Sequence, residues 1–234
     1  MSTGCFLPYI VLGTCLLHMA YIHEFAKKEG PVTVLTFSKS LPDALKYDQN
    51  IKNVVVVQKF HKRFVDIFKL SQYLKSLNIK KLYIFKCSLR FNFASKLAGI
   101  YTKSYPFYKK NNLHLVKEAQ KFTIKNIGLK SCPTETRLLL DKITFAQAKK
   151  NMETGKKNIL IAPSSSGPTT IRKASYFVDL MKKLDNKLDC LFVIAVDSSD
   201  RERKISNEII KSFSKEKIML LSEKTISDTM PIIS

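Results

Sequence analysis

Short apolar runs alternate along this chain with longer segments whose apolar residues recur at helical spacing. A strand buried on both faces reads as an unbroken apolar run, and a parallel neighbour is reached only through a crossover long enough to hold a helix. The alternation therefore predicts βαβ units and parallel sheets, and it argues against helical bundles and meandering β-sandwiches.

Followed residue by residue, the pattern opens with a strand at Tyr9–Leu12 and a helix over Leu16–Lys28, ended by Gly30-Pro31. A β-branched strand follows at Val32–Phe37, then a short helix at Leu41–Tyr47 and a strand at Val54–Gln58. The apolar face of Val65–Leu77 predicts a helix, followed by a strand at Leu82–Cys87. Leu89–Gly99 and Leu113–Ile127 read as helices closed by glycine, with the aromatic stretch Tyr101–Tyr108 between them. Lys130–Thr136 breaks the rhythm and is the candidate linker, which divides the chain into 1–140 and 141–234. Beyond it a helix at Thr144–Glu153 precedes strands at Asn158–Ala162, Cys190–Val196 and Ile218–Leu221. Helices at Ala174–Leu184, Asp200–Phe213 and from Thr225 alternate with them. Two Rossmann-like halves are expected, the second incomplete, because three strands leave an open edge and no strand follows the last helix.

Charge narrows the partners. The chain of 234 residues carries 40 Lys and Arg against 19 Asp and Glu, a net charge of +21. Such an excess suits anionic partners, although the lysines are spread out and a lysine-rich proteome would produce the same figure. Cys5, Cys15, Cys87, Cys132 and Cys190 form no CxxC pair and read as buried, reduced thiols of a cytosolic protein. Neither they nor the four histidines are spaced for a metal, so none is expected, and no cofactor is implied. Cys5–Ile22 has the length of a membrane span, but Pro8, Gly13, Thr14 and His18 interrupt it and no basic residue precedes it.

Two strand-to-helix turns carry the candidate chemistry. The segment Pro163-Ser-Ser-Ser-Gly-Pro-Thr-Thr170 joins a strand to an amphipathic helix. Ser164, Ser165, Ser166, Gly167, Thr169 and Thr170 can offer backbone N–H and hydroxyl groups to phosphate, with Arg172 and Lys173 adding charge. Neither GKS/GKT nor GxGxxG is present, and the same residues could simply cap the helix. The other turn holds Gly13 and Thr14, at a position where open α/β sheets bind ligands, although Gly13 could serve only to tighten the turn. Tyr101–Lys110 interleaves aromatics with lysines, but its place inside a domain and the lack of any RNP or KH signature argue against a nucleic-acid platform.

In their order these motifs resemble glycosyltransferase family 9, the ADP-heptose:lipopolysaccharide heptosyltransferases. LGTCLLHMAYIHEFAKKEGPVTVLTF resembles the family's opening strand, Gly-Asp turn, helix and second strand. Ile51–Val57 and Ser88–Gly99 resemble the next conserved strand and an slRsallarlaG segment, and NILIAPSSSGPTTIRKASYFVDLMKKL resembles the donor loop and its helix. The resemblance implies a two-domain GT-B fold. It also implies inverting transfer of a heptose or related sugar from an ADP-heptose-like donor to an anionic lipid-linked glycan such as lipopolysaccharide core. Residues 1–140 would hold the acceptor, with Gly13 and Thr14 at the cleft. Residues 141–234 would hold the nucleotide through Ser164, Ser165, Ser166 and Thr169. A cytoplasmic location is implied, with peripheral contact at the inner membrane left open.

The chain departs from the family at three places. Thr14 stands where the family has an aspartate suited to act as general base, and a threonine hydroxyl is too weakly basic for that role. Thr170-Ile171-Arg172-Lys173 replaces the Lys-x-Trp-Pro of the donor loop, and the Asp-Ser/Thr-Gly-x-x-His element is absent, which the resemblance reads as truncation. Two alternatives stand beside the transferase: a non-catalytic, degenerate nucleotide- or glycan-binding protein, and a basic nucleic-acid-binding protein.

Overall fold

The computed structural model describes residues 2–57, 65–106, 114–152, 155–163, 172–195, 200–221 and 225–233. They form an α/β chain with two parallel sheets, and its contacts divide into two compact units, Met1–Leu139 and Leu140–Ser234.

The first unit begins with β1 (Thr3–Leu7), α1 (Leu12–Leu16), α2 (Met19–Glu29), β2 (Val32–Thr36), α3 (Leu41–Ala44) and β3 (Ile51–Val56). It continues with α4 (Val65–Ser76), β4 (Lys81–Ile84), α5 (Leu89–Leu97), β5 (Tyr101–Ser104) and α6 (Leu115–Ile127). The strand order β3-β2-β1-β4-β5 winds outward from β1 in both directions, so the switch point of the sheet lies between β1 and β4. Alternation along β1 builds two cores. Cys5 and Leu7 face a cluster with Phe25, Tyr83, Phe85 and Phe122, while Phe6 faces Leu70, Leu74, Ile84 and Phe91 on the other side. Each large side chain fully buried here is worth roughly 1.5–3 kcal/mol.

The first strand lies earlier than its expected position at Tyr9–Leu12. Pro8 has no N–H for the ladder, so pairing stops at Leu7, and the later apolar residues form a loop and the start of α1. Gly4 is needed in the strand. A Cβ there would lie 3.0–3.1 Å from side-chain atoms of Ile79 and Leu82, which pack directly over the backbone. The expected single helix Leu16–Lys28 is two helices, separated at His18, the N-cap of α2. The third strand starts at Ile51, because Ile51 pairs with Val32 across an irregular register; Gln58 lies outside the described residues. Gly128 ends α6 with φ +67°, a conformation that side chains resist, and its N–H donates to the Ile124 carbonyl.

The expected linker Lys130–Thr136 packs on the first unit. Cys132 is buried, its carbonyl accepts a hydrogen bond from Gln120 Nε2, and Thr136 Oγ1 donates to the Leu16 carbonyl. The five cysteines are free; four are buried, while Cys87, expected to be buried too, is only half-buried beyond the end of β4. Among the described residues no helix is long and apolar enough to cross a membrane.

The second unit comprises α7 (Lys142–Met152), β6 (Lys157–Ile161), α8 (Ala174–Asp185), β7 (Cys190–Ile194), α9 (Asp200–Lys211), β8 (Ile218–Leu220) and α10 (Ile226–Ile233). Its described strands pair in the order β6-β7-β8, all parallel. Ile161, Met181, Phe192, Ile194 and Ile209 form the core under α8 and α9. Among the described residues the first strand of this unit, β6, has a strand on one side only, whereas β1 of the first unit has a neighbour on each side.

Candidate functional site

In a doubly wound sheet the backbone leaves adjacent strands in opposite directions at the switch point, and the crevice outside the carboxyl ends is open to a ligand. In the first unit that crevice is built where β1 and β4 end. The Tyr9 N–H turns back to the Leu7 carbonyl at 2.7 Å, and the Tyr9 hydroxyl donates to the Phe85 carbonyl at 2.8 Å, lacing the two strand ends together. Thr36, at the end of β2, accepts the Ser38 N–H on its hydroxyl at 3.0 Å and lies 3.6 Å from Cys15 Sγ.

Behind this rim sits His18, fully buried. Its ring stacks on Tyr9 with centroids 5.0 Å apart and meets Phe85 edge-on at 5.4 Å. Nδ1 lies 2.7 Å from the Thr14 carbonyl, which can only accept, so Nδ1 carries the proton. Nε2 is buried without a hydrogen-bond partner among the described residues. Burial depresses the imidazole to about 4, partly opposed by the bond to Thr14, so the ring is neutral at pH 7. Burial likewise pushes the Tyr9 phenol up to about 12, helped by the charge of Glu118, and it raises the Cys15 thiol.

Gly13 and Thr14, expected in a strand-to-helix turn, are the second and third residues of α1. Gly13 has no left-handed backbone, and a Cβ there would meet nothing within 4 Å, so the turn does not require a glycine. What glycine leaves is bare, exposed helix backbone beside the crevice. Thr14 contributes its carbonyl to His18, and its own side chain is a hydroxyl. Tyr9 at the rim and His18 behind it are the residues that sequence reasoning missed. The signal for His18 was its four-residue spacing from Thr14, which in a helical turn brings a side chain onto a carbonyl.

In the second unit, Ser164, Ser165, Ser166, Gly167, Thr169 and Thr170 lie outside the described residues. Their frame is described on either side. Strand β6 ends at Ile161 and α8 starts at Ala174, with Lys173 as an extended N-cap. A lysine cannot accept an N–H, and no side chain caps this helix start among the described residues. Arg172, also exposed, holds its guanidinium 5.8 Å over the Tyr176 ring. Two cations thus flank the positive end of a 12-residue helix whose first turn has no acid. Among the described residues no cluster of His, Cys, Asp and Glu could hold a metal ion.

No protein-family model matches the chain, and no curated protein matches it in sequence. Solved structures do match. ADP-heptose LPS heptosyltransferase II from E. coli aligns over 100% of this chain and 76% of its own, with a TM-score of 0.71 at 12% identity. The glycosyl transferase family 9 protein of Veillonella parvula aligns over 99% and 72%, with a TM-score of 0.73 at 11% identity. A UDP-GlcNAc 2-epimerase from Neisseria meningitidis matches less well, with a TM-score of 0.51 at 14% identity over 100% of this chain and 75% of its own. From its first strand to its last helix, this chain has the fold of the family 9 heptosyltransferases.

Proposed function

We propose that this chain is an inverting glycosyltransferase, moving a heptose or related sugar from a nucleotide-sugar donor to a lipopolysaccharide core or similar anionic, lipid-linked glycan. The observation that carries the reading is the match of the whole chain to heptosyltransferases at a TM-score near 0.7, against 0.51 for an epimerase. In such a transfer the acceptor oxygen attacks the anomeric carbon, the bond to the diphosphate oxygen breaks, and the acceptor proton passes to a base. Negative charge then grows on the leaving diphosphate. The start of α8, which no side chain caps among the described residues, has Arg172 and Lys173 beside it and suits that charge, and Ser164, Ser165, Ser166, Gly167, Thr169 and Thr170 complete the donor loop in this reading. Residues 1–140 take the acceptor, with Gly13 and Thr14 beside it, and residues 141–234 take the nucleotide. Peripheral contact with the cytoplasmic face of a membrane brings the enzyme to its acceptor.

A second reading rests on Thr14. With no carboxylate at that position, the chain could bind a nucleotide sugar without turning it over. Calorimetry with ADP, UDP and GDP tests the donor site. A nucleoside diphosphate should bind more tightly than inorganic phosphate, and Arg172→Gln with Lys173→Gln should weaken it about tenfold. If none binds more tightly than phosphate, the assignment fails. Donor binding without transfer to a lipid-linked acceptor selects the second reading.

A further inference from the structure

Alternation along the second sheet divides its apolar residues between two faces. Ile159 and Ile161 of β6, with Phe192 and Ile194 of β7, belong to the core under α8 and α9. Leu160 and Val193, paired across the same two strands, face the other way, toward α7 and α10, which pack on each other. Between these helices and the sheet lies a cavity of about 430 Å3, within the roughly 300–1,000 Å3 of small-molecule sites. Leu160 and Val193 form its floor. Phe145, Lys149 and Met152, at i, i+4 and i+7 on one face of α7, form one wall, and Ile232 and Ile233 of α10 form the other. Asn158 Nδ2 donates to the Met152 carbonyl at 2.9 Å and so fastens the end of α7 to β6. The cavity is open to solvent: Val193 at its base is 3% exposed, whereas Phe145, Leu160 and Ile233 are 40%, 45% and 53% exposed.

The lining selects the occupant. Lys149 is the one charged residue among those that line the cavity, and it is exposed at the rim. Helix α7 has no acid, and the acid of α10, Asp228, lines a separate hollow of about 270 Å3 and accepts the Thr225 Oγ1 hydroxyl at 2.7 Å. We propose that this cavity binds one molecule of a single-chain aliphatic carboxylate, its hydrocarbon over Leu160 and Val193 and its head at Lys149. The apolar floor and walls supply most of the affinity, and a single cation matches a single negative charge. A second copy fits less well, because the chain carries a net charge of +21 and two copies repel each other. The site lies wholly within residues 140–234 and uses neither the donor loop nor Gly13 and Thr14, so it stands or falls separately from the proposed sugar transfer.

The test is calorimetry of the full chain with decanoate, octanoate and neutral octanol, each kept below the concentration at which it aggregates. Decanoate should bind one per chain, and octanoate about fifteenfold more weakly, from roughly fourfold for each methylene buried. Octanol should bind about threefold more weakly than octanoate, and this preference should fade as salt rises. Lys149→Gln should remove the preference and leave octanol binding unchanged. Leu160→Gln should weaken acid and alcohol alike, by about tenfold. Circular dichroism checks that each variant folds, and Phe145→Ala, on an exposed helix surface, gives a second test of the apolar wall with about a fivefold loss. In methyl NMR spectra, decanoate should move the resonances of Leu160, Val193 and Ile233 but not those of Ile209, in the core under α8 and α9. Four results would overturn the proposal: no saturable binding of decanoate; equal affinity for octanoate and octanol in the wild type; binding unchanged in folded Leu160→Gln or Phe145→Ala; or a wild-type dimer that Leu160→Gln converts to monomer, which would give the cavity to a second copy.

Discussion

The neutral His18 makes a quantitative prediction about acid stability. The ring sits fully buried between Tyr9 and Phe85, and its pKa falls from 6.5 to about 4 on folding. Between those values the unfolded chain binds a proton that the folded chain refuses, so stability is complete above about pH 6.5 and declines as the pH falls. Linkage with these two values gives a loss of about 2 kcal/mol between about pH 7 and about pH 5, attributable to this one residue. His18→Phe keeps the ring stacking and removes the titration. It also removes the bond to the Thr14 carbonyl, an offset of about 1 kcal/mol that does not change with pH. Urea unfolding followed by circular dichroism, at both pH values for both proteins, measures the difference. The wild type should lose about 2 kcal/mol more than the variant over this interval. Equal losses would show that His18 is protonated in the folded state and would refute the description of a neutral, buried ring.

Three further outcomes follow from single contacts. Gly4→Ala should cost about 1–3 kcal/mol in chemical denaturation, because its Cβ would press on Ile79 and Leu82 inside a packed strand. Glu29 accepts hydrogen bonds from Thr3 Oγ1 at 2.5 Å and from Lys81 Nζ and Tyr83 OH at 3.0 Å, which together outweigh the cost of burial and hold its carboxyl below the usual range. Glu29→Gln should therefore destabilise the first unit by about 2–3 kcal/mol at neutral pH, and the gap should close as the pH drops through the depressed carboxyl pKa. Gly13→Ala should leave stability unchanged or raise it by up to about 1 kcal/mol, since the site is helical and open; a fall in glycosyl transfer with intact folding would mark it as a point of close ligand approach.

The parallel α/β plan was legible because periodicity reports which faces are buried, and the strands near Val32, Leu82, Asn158, Cys190 and Ile218 were each found within a few residues of their bounds. What local composition could not report was tertiary packing. Gly4 lies inside β1 because Ile79 packs where a side chain would stand, a tertiary fact invisible in a local window. Lys130–Thr136 looked like a linker by composition, yet Cys132 and Thr136 are held by partners far along the chain, Gln120 and Leu16. The rim was hidden for the same reason: Tyr9 and Phe85 meet only after a crossover, and neither carries a motif.

These neutral groups also bear on how a transfer could proceed. Around the switch point, His18 is held uncharged, burial keeps the Tyr9 hydroxyl and the Cys15 thiol protonated, and Thr14 has no acid to ionise. None of the four can take up an acceptor proton near neutral pH, where a useful base titrates within a few units of the working value. If the proposed transfer takes place, the acceptor proton therefore goes to a group other than these four. If transfer is observed, its pH profile should be the same in the wild type and in His18→Phe and Cys15→Ser. An ionisation that disappears in either variant would place the base at the rim after all.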